Sequence, residues 1–416
     1  MTEIIERFKR AVYHDDASGL RQFLADHPEM KARVDEPLFH FDAPAIVIAA
    51  RGSRDMIDAL LEAGANINAR STWWAGGFGV LDMDCTDNVP YLIERGAIVD
   101  AYSAARHGMM DRLRRLVEES PESAGKPAGD GQTPLHVASS VEVAEFLLEH
   151  GAEIDKLDID HESTPAQYLV RSHPEVVRFL ISRGCRTDIL MAAAVGDAAL
   201  VRRHLDADPE CIRTRVNAQY FPMRNPHAGG TIYIWTIGKN RSVHQTAKRF
   251  GHEELLPLLM ERTPEEIRLA EACLIGDASF VNEARRKNPD GVREVAQTNP
   301  GAISDAAEDN NTDAVQLMAE CGWPLEGDGQ HTPLHWACWH GNAEMVRAIL
   351  PFHPPLEFAD AEYKAPPLGW ALHGSENGWH RATGNYGETV KLLLAAGAQR
   401  PPRIEGSPAV REALQS

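Results

Sequence analysis

The sequence predicts an all-α solenoid, a stack of helix-turn-helix units joined by finger loops and interrupted by aromatic-rich insertions, and three observations predict it. Two segments, DGQTPLHVASSVEVAEFLLEHGAEID from Asp130 and DGQHTPLHWACWHGNAEMVRAIL from Asp328, repeat one another. A helix ending in glycine recurs at Gly64, Gly96, Gly151, Gly184 and Gly397, with Gly64 and Gly96 32 residues apart and Gly151 and Gly184 33 apart. A second ending replaces the glycine with proline, in FLADHP at Pro28, LVEESP at Pro121, HLDADP at Pro209, RRKNP at Pro289 and LPFHP at Pro354. Repetition at this period marks units that cannot bury an apolar face alone and so stack.

Each part of the unit has a mechanical reason. The hydroxyl of Thr133 suits a helix N-cap, and Pro134 suits the first helical position, where its φ is preset and no amide hydrogen is wasted. Leu135 and Ala138 then point inward. A second helix carries Val143, Phe146 and Leu147 at helical spacing, and Gly151 ends it in the left-handed conformation. At the proline endings the ring cannot continue the helix, so the stop is made by a different device.

Together the endings place about twelve units, near residues 4–35, 42–69, 76–100, 101–129, 130–160, 163–187, 188–215, 231–262, 265–295, 299–326, 328–360 and 366–400. They form one solenoid over residues 1–402, with 1–35 as an N-terminal cap, 216–235 as an inserted loop and 403–416 as a loose C-terminal tail.

The TPLHxA signature at Thr133 and Thr332 resembles that of the ankyrin-repeat family, and the likeness extends over almost the whole chain. The resemblance implies that His136 and His335 hydrogen-bond between neighbouring turns. It also implies that finger loops and first helices line a concave face, with Trp336, Trp339 and His340 at variable positions of that face. The family's mode of use is recognition of a partner, which leaves the individual function open.

Composition bounds the rest. Of the 416 residues, 43% are hydrophobic and 25% charged, enough apolar material for a continuous core. The net charge of −19 argues against nucleic acid and anionic membranes, whose phosphates are bound by Lys and Arg. The basic run Arg112, Arg114 and Arg115 reads as a solvated helix face. Six cysteines, at 85, 185, 211, 273, 321 and 338, form no CxxC pair, and Cys273 and Cys338 stand where a repeat helix wants a small buried residue. The start, MTEIIERFKR, lacks the apolar stretch of a secretory signal, and no window has the roughly 20 apolar residues of a membrane span. A cytoplasmic protein is expected.

Function is written where the repeat breaks. Trp73 and Trp74 stand together in STWWAGGFGV, and the segment Val216–Trp235 carries Tyr220, Phe221, Tyr233 and Trp235. The last two repeats add Trp336, Trp339, His340, Trp370, His373, Trp379 and His380. Nine of these aromatics, from Trp73 through Trp370, are expected to line one groove. Exposed tryptophans are typical of binding hot spots. A protein partner is the leading expectation, with a small-molecule ligand as the alternative and no nucleic acid or membrane. The competing readings are a cofactor-independent hydrolase, lyase or isomerase with a pocket between the inserted loops and the last two repeats, and a passive scaffold whose rings merely pack. If catalytic, the acid and base groups come from His340, His373, Asp82, Asp84 and Asp87. Neither a metal nor a cofactor is expected: no H-E-x-x-H, phosphate loop or nucleophile elbow is present, and Gly374 and Gly378 interrupt any helix between His373 and His380.

Overall fold

The computed structural model describes residues 2–83, 85–327 and 329–415. Among these the regular structure is helical, with β-structure confined to two isolated bridges, Phe39 with Ala43 and Arg215 with Ser242. The chain forms two compact units. One comprises Met1–Met191 and Val216–Lys239, the other Ala192–Arg215 and Asn240–Ser416.

In the first unit the helices pair as the repeats require: Thr2–Tyr13 with Ala17–Asp26, Ala45–Ala49 with Arg54–Glu62, Ala101–Arg106 with Met110–Glu119, Pro134–Val137 with Val141–Glu149, and Pro165–Leu169 with Pro174–Ser182. The repeat at 76–100 has lost its first helix among the described residues and keeps Val89–Glu94. Its opening, GGFGVL at 76–81, is an irregular run that still buries Phe78, Val80 and Leu81. In the second unit the pairs are Val243–Arg249 with Leu256–Arg262, Glu265–Ile275 with Ala278–Lys287, Ala302–Glu308 with Thr312–Glu320, Pro333–His340 with Ala343–Ile349, and Pro367–Asn377 with Tyr386–Ala395.

The two near-identical segments differ in length, and the first helix records it. Thr133 and the second cap Ser140 are seven residues apart, whereas Thr332 and Asn342 are ten apart. One turn is missing from the earlier repeat, so Pro134–Val137 is a single 3-10 turn while Pro333–His340 is a full α-helix. Leu135, Ala138, Val143 and Leu147 are buried as their spacing predicts, and Cys273 and Cys338 are enclosed in the core of their unit.

Both endings work by backbone conformation. Gly64, Gly96, Gly151, Gly184 and Gly397 have φ of 99°, 97°, 89°, 88° and 104°, a region that L side chains avoid. Before Pro28, Pro121, Pro209 and Pro289 the residues His27, Ser120, Asp208 and Asn288 are extended, with φ from −129° to −149° and ψ from 66° to 98°. A following proline pushes its predecessor there by steric contact. Each proline then opens a new short helix, Pro28–Arg33, Pro121–Gly125, Pro209–Arg213 or Pro289–Thr298, so it starts a return segment as well as stopping the old helix. Pro354 differs, following His353 in the left-handed region.

The expectation of a loose tail after Pro402 fails. Pro408–Gln415 is a helix that buries Val410, Ala413 and Leu414 in the core that also holds Val390 and Leu393 of Tyr386–Ala395. An apolar face at i, i+3 and i+4 covers the side that the last helix pair leaves bare.

The glycine endings are separable from packing. A Cβ at Gly151 meets nothing within 4 Å, so Gly151→Ala tests the backbone alone. It is expected to lower unfolding free energy in urea by about 1 kcal/mol through the left-handed penalty. Gly125→Ala, equally open but outside that region, is expected to stay within about 0.5 kcal/mol of the parent.

Candidate functional site

In the second unit, Pro333–His340 has the sequence PLHWACWH. Leu334, Ala337 and Cys338 face inward, which turns Trp336 and Trp339, three residues apart, to one half-buried face. The next first helix, Pro367–Asn377, brings Trp370 and His373 at the same spacing, and Trp379 follows its end. The rings meet: Trp336 and Trp370 edge to face at 5.3 Å, Trp336 and Trp379 stacked at 6.0 Å, Trp339 and Trp379 perpendicular at 6.0 Å, and Trp339 stacked on His373 at 5.9 Å. With His331 and Tyr363 they wall a cavity of about 410 Å³.

Asp360 fixes the frame. It is fully enclosed and accepts from the backbone N–H groups of Glu362, Tyr363 and Ala365 at 2.9, 2.6 and 3.0 Å and from Trp370 Nε1 at 3.0 Å. Burial opposes its charge, but these four donors prevail and hold its carboxyl down at about 2. Trp370 is therefore buried and locked, while Trp379 at 61% and Tyr363 at 67% exposure flank the opening. Of the two glycines expected to interrupt the helix, Gly374 serves close approach instead, whereas Gly378 follows the helix end. Pro367–Asn377 runs through Gly374, where a Cβ would lie 2.8 Å from the Trp339 carbonyl oxygen. The helix ends before Gly378, so His373 is on it and His380 is not.

In the first unit Trp73 stands between Phe41, perpendicular at 5.3 Å, and Trp74 at 6.2 Å, and Trp74 meets His227 of the inserted loop at 6.2 Å. That loop is tied to the finger at 158–163. Glu162 accepts from the N–H groups of Arg224 and Asn225, Asp160 accepts from that of Gly229, and His161 Nδ1 lies 2.7 Å from the Gly230 carbonyl. Of the loop aromatics, Trp235 is 64% exposed, Tyr220 and Phe221 are half-buried, and Phe221 packs edge to face on Tyr233 at 5.3 Å. Tyr233 itself is a correction: it is fully enclosed and donates its hydroxyl to Asp188 at 2.9 Å, so it braces the loop and cannot wall a groove.

Of the acid and base candidates, Asp82 and Asp87 belong to the first unit and His340 and His373 to the second, where His373 lines the aromatic cavity. Asp82 is buried, paired with Arg70 and accepting from Gly79 N–H at 2.8 Å; burial is the main cause that raises its pKa. Asp87 is exposed, and Asp84 lies outside the described residues. His340 is buried, with its Nε2 3.0 Å from the Glu308 carbonyl. Instead the first unit gathers residues that sequence reasoning missed: Asp130, Asp160 and His161 are all buried, with ligand-type atoms within 4.8 Å of one another. Burial first, then the charge of Asp160, pushes the Asp130 carboxyl up to about 6.

Comparison with known proteins identifies the repeat. The family model described as ankyrin repeats (3 copies) matches residues 101–191 and 243–362, and the single ankyrin-repeat model matches residues 44–72. The chain belongs to the ankyrin-repeat family. It is 29% identical over 120 residues to the mouse ankyrin repeat and SAM domain-containing protein 6, covering 27% of this chain and 13% of that protein. It is 25% identical over 244 residues to the E3 ubiquitin-protein ligase KEG of Arabidopsis thaliana, covering 53% and 15%. The chain thus spans a small fraction of the curated relatives it matches. The crystal structure of the human ASB11 ankyrin repeat domain aligns over 74% of this chain and all of that one at 17% identity, with a TM-score of 0.26. Ankyrin repeats carry a general role in protein interaction. Among the described residues no helix is long and apolar enough to cross a membrane.

The ankyrin signature explains the histidines. His136 Nδ1 accepts from Thr133 N–H at 3.0 Å, leaving Nε2–H for the Ser163 carbonyl at 3.2 Å in the next repeat. His335 repeats this with Thr332 N–H and the Ala365 carbonyl, at 3.2 and 3.1 Å. Burial holds His136, His335 and His340 down at about 4. Below pH 6.5 the unfolded chain takes up protons that these folded rings refuse, so stability is complete above pH 6.5 and is lost as pH falls towards 4. His340→Gln keeps a donor for the Glu308 carbonyl and removes the titration. Urea unfolding between pH 7 and 4.5 is expected to fall less steeply in the variant than in the parent, by up to about 1.4 kcal/mol per pH unit; equal slopes refute the neutral-histidine account.

Proposed function

We propose that this ankyrin-repeat chain recognises a protein partner by seating an apolar segment in the tryptophan-walled cavity of its last two repeats. The observation that carries this reading is the contrast within the cavity: Trp370 is anchored by Asp360, while Trp379 and Tyr363 stand largely in water. Rings left in water forgo the stabilisation that burial gives, and large rigid aromatics return it on binding at small entropic cost. A preset wall reduces the ordering cost of association. Among the described residues His331 Nε2 and Trp339 Nε1 are enclosed without hydrogen-bond partners, so the wall also holds unused polar capacity. Recognition is favoured over catalysis because the cavity's groups are mainly apolar rings and, of the acid and base candidates among the described residues, His373 alone lines it.

The test uses peptides selected by display on the whole protein, with affinities read by fluorescence anisotropy. Trp379→Ala and Tyr363→Ala remove exposed rings and are expected to weaken the selected peptides at least tenfold with the thermal midpoint unchanged. Trp235→Ala, which removes an equally exposed ring outside this cavity, is expected to leave affinity intact. Unchanged affinity in both cavity variants would count decisively against the reading.

A further inference from the structure

Asp130, Asp160 and His161 lie outside the aromatic cavity and serve none of the recognition just described. Asp130 belongs to the finger that precedes Thr133, and Asp160 and His161 belong to the next finger, in LDIDHES. The two fingers are joined through backbone: the N–H groups of Ile159 and Asp160 both donate to the Asp130 carbonyl, at 2.8 and 3.2 Å. Asp130 adopts φ 56°, the left-handed region, which is costly for a residue with a side chain. Strain of this kind persists where the surroundings impose it and gathers at functional sites.

The electrostatics are incomplete. Two carboxylates are enclosed here, and among the described residues neither has an ion pair with lysine or arginine. Asp130 is 8% exposed, and its Oδ1 has no hydrogen-bond partner among the described residues. The Trp73 indole lies beside that carboxylate, close enough to favour its charge, without the alignment of a hydrogen bond. Its Oδ2 has, among the described residues, the long contact from Gln132 Nε2 at 3.4 Å. Asp158, by contrast, is saturated by His161 N–H, Ser163 N–H and the Tyr168 hydroxyl, each at 2.8 Å. Buried charges left unpaired are expensive and call for a counter-charge.

His161 points the same way. A carbonyl only accepts, so the 2.7 Å contact with the Gly230 carbonyl assigns a hydrogen to Nδ1. In the neutral ring Nε2 then carries a lone pair, and it stands 3.6 Å from Asp160 Oδ2, one acceptor facing another. An imidazole whose second nitrogen donates to a carbonyl is the usual setting of a metal-binding histidine. Asp160 is braced in turn by Gly229 N–H at 3.1 Å.

We infer that Asp130, Asp160 and His161 bind one divalent transition-metal ion, which ties the two fingers to the inserted loop. One imidazole nitrogen and two carboxylate oxygens suit zinc or manganese, whereas magnesium and calcium prefer all-oxygen sets. The two carboxylates offset the ion's charge, and the ion supplies the attraction that no basic side chain provides. Its effect is structural. Through His161 and Gly230, and through Asp160 and Gly229, the metal holds the loop that carries His227 towards Trp74.

The test begins with the full chain stripped by chelator. Calorimetric titration with Zn²⁺ and Mn²⁺ is expected to show one equivalent bound, Zn²⁺ to raise the thermal midpoint, and Co²⁺ to give visible bands of a nitrogen- and oxygen-ligated ion. Asp130→Asn, Asp160→Asn and His161→Gln preserve shape and are expected to weaken binding at least tenfold each, while His380→Gln, a histidine of the other unit, is expected to bind as the parent. The parent protein alone can overturn the inference, whatever the variants do to folding: it fails if the stripped chain takes up none of the three ions, or if His161 proves to be a protonated partner of Asp160. It fails equally if all three folded variants bind like the parent, or if Mg²⁺ or Ca²⁺ binds where Zn²⁺ and Mn²⁺ do not.

Discussion

A pair of short helices has two broad faces, and neither can be buried by the pair itself. Everything regular in this chain answers that constraint. First helices carry alanine at the contacts, as at Ala104, Ala105, Ala138 and Ala337, so that backbones approach closely, and second helices supply the larger Leu, Val and Met side chains. The ends need other solutions. At the N-terminus Thr2–Tyr13 buries Phe8 and Val12 and shows charge on the opposite side, and at the C-terminus Pro408–Gln415 covers the bare face of the last pair. Because each repeat leans on its neighbours, local damage spreads along a unit, and the cost of one lost contact is shared by adjacent repeats.

Polar groups trapped by this stacking must be completed by the neighbours too. The signature histidines do so as neutral rings, spending one nitrogen on their own turn and the other on the next. Arg241 does so as a charge. It is fully enclosed, with Nε 2.8 Å from Asp309, Nη2 3.0 Å from Glu308 and Nη1 3.6 Å from Asp305. Burial disfavours its charge, and three acids outweigh that penalty. Glu271 is the mirror case, enclosed yet held down at about 2: burial opposes its charge, while His244, Arg215 and the Ser242 hydroxyl support it. Both clusters set an enclosed charge against side chains of opposite sign, an arginine in the case of Glu271, whereas among the described residues no lysine or arginine does this for Asp130 and Asp160.

The repeat was legible because its signals are local. TPLH, the glycine stops and the proline stops each act within a few residues, although the repeat at 76–100 keeps only its second helix among the described residues. The three-residue shortening after Thr133 was equally present in the sequence, yet its consequence, a 3-10 turn in place of a helix, depends on where the next cap sits. The tail was misread because a proline- and glycine-rich run precedes it, although Val410, Ala413 and Leu414 carry a helical spacing. The site was legible only in part. Aromatic residues announce themselves by type, so Trp336, Trp339, Trp370 and Trp379 could be singled out. Their framing could not: Asp360, His331 and Tyr363 come from fingers whose composition resembles any turn. Tyr233 shows the converse failure, since an aromatic in a loop looks available until the fold supplies Asp188 for its hydroxyl. Asp160 and His161, adjacent in the run from Asp158, were a visible signal, but the third member of their cluster, Asp130, sits about one repeat away and is brought in by stacking alone.

The same periodicity explains why both clusters, aromatic and acidic, join successive repeats. Residues at equivalent positions of adjacent units fall side by side, so a property doubled in sequence becomes a cluster in space. Trp336 and Trp339 on one first helix meet Trp370 and His373 on the next, and Asp130 on one finger meets Asp160 and His161 on the next. Consensus repeats use this register to stack leucine and alanine. Replacing those residues at matched positions costs little elsewhere, because the helix caps, the glycine stops and the histidine bridges are set by other residues. A repeat array can thus acquire an aromatic wall or a ligand cluster by substitution at two neighbouring units, with the scaffold between them left to hold the geometry.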